Sequence, residues 1–219
     1  MKEIYTVKTD KTARVVVLGN VKTANQIWIA LHGYGQNLGR FGSQLQTLVD
    51  HNTAVIVPEG LHRFYTKGFN GDVGASWMTR EDRVSDIQDY VEYLNKVAYR
   101  FLENHHTLQV LGFSQGAATA CRWLSGGRFK AQNVVLWAGL VPPDLNLELG
   151  VKNLSKSKLI LASSPTDPYR TDTMWNEQYN QLNTYGLKYD EFEYEGGHKI
   201  IPEALRRLVE TYINPLLSN

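Results

Sequence analysis

The chain has 219 residues, 42% of them hydrophobic, and nearly balanced charge: 23 Lys+Arg against 22 Asp+Glu, a net +1. That is enough apolar material for one sizeable core, and the absence of any basic run or stripe argues against a nucleic-acid partner. No apolar stretch reaches the length of a membrane span and the start of the chain has no apolar h-region. The expectation is a cytoplasmic protein, residues 1–219 forming a single domain without stable membrane insertion. Cys121 is the lone cysteine and cannot make an internal disulfide, which suits a reducing compartment.

In chain order, Glu3–Thr9 and Thr12–Gly19 are β-rich runs separated by a polar turn, predicting an antiparallel hairpin at a sheet edge. Gln26–Leu31 is almost continuously apolar, as a strand buried on both faces should be, and opens into His32-Gly33-Tyr34-Gly35. Gly33 and Gly35 let the main chain of this loop come close to a neighbour, and the Tyr34 amide is a candidate oxyanion donor. His32 reads as a hydrogen-bonded structural histidine.

A helix is predicted over Leu38–Asp50 and a buried strand over Ala54–Pro58, which sets up a βαβ rhythm. Glu59–Trp77 is glycine-rich and aperiodic, and a short lid-like loop is expected at about 59–81. Its aromatics would suit an apolar acyl group, so Phe64 and Trp77 are candidate substrate contacts. Glu81–Asn104 is the longest amphipathic helix. His105 and His106 follow it; adjacent residues cannot converge on one ligand from a helix, and no metal site is expected.

The strand Leu108–Gly112 leads into Gly112-Phe113-Ser114-Gln115-Gly116, and a helix of small residues starts at once. So abrupt a turn forces Ser114 into strained geometry, with Gly112 and Gly116 removing the Cβ atoms that would clash. Ser114 is the candidate nucleophile, at the positive end of the helix, where the Gln115 N–H points toward an oxyanion. Cys121, behind it on an apolar background, reads as a buried structural thiol.

Asn133–Gly139 and Lys158–Ala162 are two further strands, the second leading to Asp167. A helix over Thr173–Tyr185, a strand over Lys188–Tyr194 and a helix over Pro202–Ile213 complete the pattern, with His198 on the glycine loop after the last strand. Serine, acid and histidine thus occur in the order Ser114, Asp167, His198, each past a predicted strand, the order of an α/β-hydrolase triad. The chemistry needs all three: a serine hydroxyl is a poor nucleophile near neutral pH, a histidine must take its proton, and an acid must hold the imidazole in the right tautomer. Asp172, and more weakly Asp144, compete with Asp167 for the role of acid. Tyr169, next to that acid, is a third candidate substrate contact.

The chain resembles the phospholipase/carboxylesterase family of small serine hydrolases, which includes acyl-protein thioesterases. The matching pieces are Leu31-His32-Gly33-Tyr34-Gly35, Gly112-Phe113-Ser114-Gln115-Gly116, the isolated Trp77, and Gly196-Gly197-His198 followed by Ile201-Pro202-Glu203. The resemblance implies an α/β-hydrolase fold, a mostly parallel sheet with an N-terminal antiparallel edge and helices on both faces. It also implies hydrolysis of esters or thioesters, without cofactor or metal, on a small-molecule substrate. The sequence departs from the family around the acid, where Pro168-Tyr169-Arg170 replaces a short Val-rich run.

Competing readings are a peptidase or lipase on the same fold, or a non-catalytic binding module; the latter could lose a triad residue, yet none is lost. A homodimer is compatible with the sequence, which does not set the oligomeric state.

Overall fold

The computed structural model describes residues 2–146 and 148–214. Strands β1 (Val15–Leu18), β2 (Gln26–Leu31), β3 (Thr53–Pro58), β6 (Thr107–Phe113), β7 (Asn133–Trp137), β8 (Lys158–Ser163) and β9 (Tyr189–Glu193) form a seven-stranded sheet. Its order is β1-β3-β2-β6-β7-β8-β9. Only β1 runs antiparallel, against β3; every other neighbouring pair is parallel. A separate antiparallel pair joins β4 (His62–Tyr65) to β5 (Val73–Ser76).

Parallel strands need crossover helices, and these cover both faces, which explains why the central strands read as unbroken apolar runs. The period of two then divides each strand between two cores. From β2, Ile27, Ile29 and Leu31 pack with α2 (Arg83–Phe101), α3 (Gln115–Ser125) and α5 (Asp172–Tyr185), through residues such as Leu94, Trp123 and Leu182. Trp28 and Ala30 point the other way, toward α1 (Leu38–Gln44) and α6 (Pro202–Tyr212), where Phe41, Leu205 and Leu208 are buried. A short helix, α4 (Leu149–Leu154), also joins the first core.

Three expectations are corrected. The N-terminal hairpin is absent: β1 is a single edge strand on β3, and residues 2–14 carry no regular structure. Strands on Glu3–Thr9 would have to lie outside β1, where nothing covers a face; Ile4, Tyr5 and Val7 are indeed 83%, 78% and 85% exposed. The Glu59–Trp77 stretch is not irregular, since it contains the β4–β5 pair. The long helix is shorter than its periodicity suggested, Arg83–Phe101 rather than Glu81–Asn104.

The strand order positions the site. From β2 the chain steps outward to β3, then returns to lay β6 on the other side of β2 before running out through β7, β8 and β9. The order reverses between β2 and β6, and open α/β sheets bind ligands beyond the carboxyl ends of strands at such a switch point. The loop after β2 carries Tyr34, and the turn after β6 carries Ser114.

Candidate active site

Ser114 sits between β6 and α3 with φ 52° and ψ −115°, a left-handed conformation for a residue with a side chain. Strain of this kind costs about 1–3 kcal/mol and persists only where the surroundings over-determine it. Here Ser114 N–H donates to the Trp137 carbonyl at 2.9 Å and the Ser114 carbonyl accepts from Ala117 N–H at 3.0 Å. Close packing accounts for the glycines: a Cβ on Gly116 would lie 2.1 Å from the Leu31 carbonyl oxygen, and one on Gly33 would lie 2.8 Å from the Phe113 ring. The two turns therefore touch through backbone.

His198 Nε2 lies 3.0 Å from Ser114 Oγ, and His198 Nδ1 lies 2.6 Å from Asp167 Oδ2. The other Asp167 oxygen accepts from Tyr169 N–H at 2.8 Å. Asp167 is buried while the histidine side chain is 19% exposed, so the chain of hydrogen bonds runs from the interior out to the cavity. Ser164 Oγ accepts from Gly197 N–H at 3.1 Å, tying the acid loop to the histidine loop. The histidine loop is held again by Tyr194 O–H donating to the Gly197 carbonyl and by the Trp137 indole N–H donating to the Lys199 carbonyl. Phe113 and Tyr169 flank the imidazole, their ring centroids 5.0 and 4.7 Å away.

The structure thus brings Ser114, Asp167 and His198 together, and leaves the competing acids elsewhere. Asp172 is exposed in the first turn of α5; Thr171, not Asp172, caps that helix by accepting from Met174 N–H. The Asp144 carboxylate is committed to Arg83 at 2.7 Å and Arg122 at 2.8 Å. Burial would raise its pKa, but the hydrogen bonds and charge of Arg122, with the charge of Arg83, outweigh that and hold it below the usual carboxylate range.

Among the described residues, the N–H groups of Tyr34 and Gln115 donate to no protein acceptor. The first is free because its loop is braced from both sides. Gly33 N–H donates to Gln36 Oε1 at 2.7 Å, and Gly35 N–H donates to the Ala75 carbonyl of β5 at 2.8 Å. The second is free because the first N–H of a helix has no intrahelical partner.

His32 is buried beneath this loop. Its Nδ1 lies 2.7 Å from the Gly33 carbonyl and its Nε2 accepts from Gly60 N–H at 2.9 Å, which requires the neutral ring with the proton on Nδ1. Burial lowers its pKa, against smaller opposing effects of the Gly33 carbonyl and Glu59. Burial likewise pushes the Cys121 thiol up to about 12, leaving it inert.

The expected substrate contacts divide. Tyr169 lines a cavity of about 1020 Å³ that also exposes Ser114 and His198. Trp77 is corrected: it is fully buried, its indole N–H donates to the His32 carbonyl at 2.8 Å, and its backbone N–H donates to Gln115 Oε1 at 3.0 Å. It braces the loop after β2 from below. Phe64 packs against Tyr34 with the rings tilted and their centroids 5.2 Å apart, and no residue of 59–81 lines the cavity among the described residues.

Sequence reasoning missed the far wall, which α5 supplies through Met174, Gln178, Gln181 and Tyr185. Gln178 accepts from Val141 N–H at 2.6 Å, while Gln181 and Tyr185 donate to the carbonyls of Pro142 and Pro143. Two glutamines at core spacing on an amphipathic helix were the available signal.

The model of the Phospholipase/Carboxylesterase family matches residues 12–216. The chain belongs to that family. Membership makes it a hydrolase of the esterase type. Solved structures share its fold: Zea mays acyl-protein thioesterase 2 superposes with a TM-score of 0.73 at 19% identity, covering 94% of this chain and 100% of the other. A Mesorhizobium loti carboxylesterase gives 0.70 at 15% identity, with coverage of 95% and 98%. The Bacillus cereus carboxylesterase gives 0.67 at 19%, with 92% and 94%. No curated protein matches the chain in sequence. Among the described residues of this family member, no helix is long and apolar enough to cross a membrane, and no cluster of His, Cys, Asp or Glu could hold a metal ion.

Proposed function

We propose that the protein is a serine hydrolase that cleaves carboxylic esters or thioesters of small to medium acyl groups through an acyl-enzyme on Ser114. The observation that carries this is the unbroken chain from Asp167 through His198 to Ser114 Oγ, opening into the cavity. His198 Nε2 takes the Ser114 proton as Oγ attacks the carbonyl carbon. The negative charge that develops on the carbonyl oxygen is received by the free N–H groups of Tyr34 and Gln115, which need no reorganisation to meet it. His198 then passes its proton to the departing alcohol or thiol. Water repeats the sequence on the acyl-enzyme, releasing the acid and restoring Ser114. Asp167 keeps the proton on Nδ1 throughout, so that Nε2 faces the serine as a base.

The walls support acyl groups of that size. Leu140, Val141 and Pro142 give the cavity apolar surface, and its volume is in the range of ligand pockets. The reaction needs no cofactor, and the triad lies within one chain, with residues 1–219 read as a single domain.

A fluorophosphonate probe, which captures activated serines, should label the protein, and Ser114→Ala should abolish both labelling and ester hydrolysis with an unchanged melting temperature. Undiminished hydrolysis in that variant would refute the assignment.

A further inference from the structure

The cavity contains two arginines in different states. Arg122, on α3, is nearly buried and its charge is spent on Asp144, 2.8 Å away. Arg170 is different. It forms no ion pair among the described residues, and its Nε is buried without a hydrogen-bond partner. Its guanidinium lies over the Trp175 ring, 5.4 Å from the centroid, which holds a planar cation by its face and leaves its donor edge free. An arginine so fixed offers a fork of N–H donors to a planar anion.

Its place relative to the chemistry is set by the chain. Arg170 N–H donates to the Asp167 carbonyl at 3.0 Å, which closes a turn on the triad acid. Tyr169, the residue before it, meets the imidazole of His198 edge to face. Because His198 must hand its proton to the leaving group, the leaving group departs along the imidazole's side of Ser114, the side on which Tyr169 and Arg170 line the cavity.

From this we infer that Arg170 is a specificity residue for substrates whose leaving alcohol or thiol carries an anionic group, a carboxylate or phosphate. The inference rests on the proposed hydrolysis at Ser114. Two carboxylates share the cavity. Asp167 is buried with both carboxylate oxygens engaged, by His198 Nδ1 and by Tyr169 N–H, and Glu177 is exposed on α5 without a cationic partner among the described residues. Glu177 opposes an incoming anion; Arg170, without an ion pair among the described residues, receives it.

The test compares 4-acetoxybenzoate with its neutral methyl ester, and, on the acyl side, the 4-nitrophenyl monoester of glutarate with 4-nitrophenyl pentanoate. Substituting Arg170→Gln should lower kcat/KM for 4-acetoxybenzoate by about 10- to 100-fold, the worth of a hydrogen bond to a charged group, mostly through KM. The other three esters should change by less than about 2-fold on the same grounds, because none places a charge beside Arg170. Arg170→Lys should recover part of the loss, and Glu177→Gln should favour the anionic ester further. Calorimetric binding of 4-acetoxybenzoate to the Ser114→Ala protein, with and without Arg170→Gln, reads the same site independently of turnover. Equal losses on all four esters, a loss confined to the acyl-side anion, or binding indifferent to Arg170 would overturn the inference. Failure of every ester to react, with the binding contrast intact, would instead count against hydrolysis at Ser114.

Discussion

Replacing Asp167 by asparagine tests the triad at the residue whose role the sequence left most open. The carboxylate serves two donors at once, His198 Nδ1–H at 2.6 Å and Tyr169 N–H at 2.8 Å. An asparagine has only one oxygen for them. If that oxygen stays with Tyr169, the amide N–H₂ faces Nδ1, the ring must carry its proton on Nε2, and the base toward Ser114 is lost. If the amide flips, the imidazole keeps its tautomer, but the N–H₂ faces the Tyr169 N–H in a buried site and the imidazolium loses its counter-charge. An orphaned buried donor costs about 1–3 kcal/mol, so neither orientation is free. In the well-studied serine protease triad this change lowers kcat by about 10⁴, equivalent to roughly 5.4 kcal/mol on the barrier, and a loss of that order is expected here. Asp172→Asn, at an exposed first-turn position that is not the cap, should leave kcat within about 2-fold and cost under about 1 kcal/mol of stability. Steady-state kcat on a 4-nitrophenyl ester and melting temperature of both variants decide the matter. More than about a tenth of wild-type kcat in Asp167→Asn, against an expected loss of about 10⁴, would refute the reasoning. So would inactivity of Asp172→Asn.

Gly116→Ala should be among the most damaging single-methyl additions, because its Cβ would sit 2.1 Å from a backbone carbonyl that cannot move without displacing β2; either loss of soluble folded protein or loss of Ser114 labelling is expected, and a fully active, stable variant would contradict the packing. Trp77→Phe keeps most of the apolar volume but strands the His32 carbonyl, so a stability loss of about 1–3 kcal/mol together with a fall in kcat is expected from denaturant titration and kinetics; unchanged kcat would mean the oxyanion loop does not need that brace. His32 sets a pH dependence of stability. Its native pKa is lowered by burial, so between that value and the ordinary histidine value of about 6.5 the unfolded chain binds a proton that the native one does not. Its contribution is therefore intact above about pH 6.5 and is lost as pH falls below it, by at most about 1.4 kcal/mol per unit; melting curves from pH 8 to pH 5 should show a decline that His32→Gln flattens, and an equal decline in the variant would assign it elsewhere.

Much of this architecture was legible because the central strands are buried on both faces and announce themselves as apolar runs, each ending in a distinctive loop. Ser114 and His198 could be singled out by strand exits and chain order, whereas the acid stayed open among Asp167, Asp172 and Asp144 until the fold put Asp167 beside His198. What could not be read depends on contacts between distant segments. Nothing in Glu3–Thr9 says that the edge beyond β1 is uncovered, so a β-rich composition there found no partner. The strands β4 and β5 are only four residues each, and their pairing is steadied by hydrogen bonds to Gly35 and Gln36, far away in sequence. The indole of Trp77 was recognisable as important, but its type does not say whether it faces a ligand or the underside of a loop.

The register of the proposed reactive groups follows from a strand that contributes none of them. The candidate triad residues lie beyond β6, β8 and β9, and β7 runs between the first two. Its terminal residue, Trp137, binds both ends of the constellation: its carbonyl accepts from Ser114 N–H at 2.9 Å, and its indole N–H donates to the Lys199 carbonyl, one residue past His198, at 3.0 Å. Ser114 and His198, the proposed nucleophile and base, are thereby referred to one fully buried residue rather than to two independent loops. The next residue, Ala138, has φ 49° and hydrogen-bonds to the end of β8, which leads to the acid. Catalytic geometry must hold within about 0.5 Å, and a shared anchor in the sheet ties both loops to one reference point. The strain carried by Ser114 is offset by these same fixed partners, which makes the elbow a product of the sheet beneath it and not of the serine's own preference.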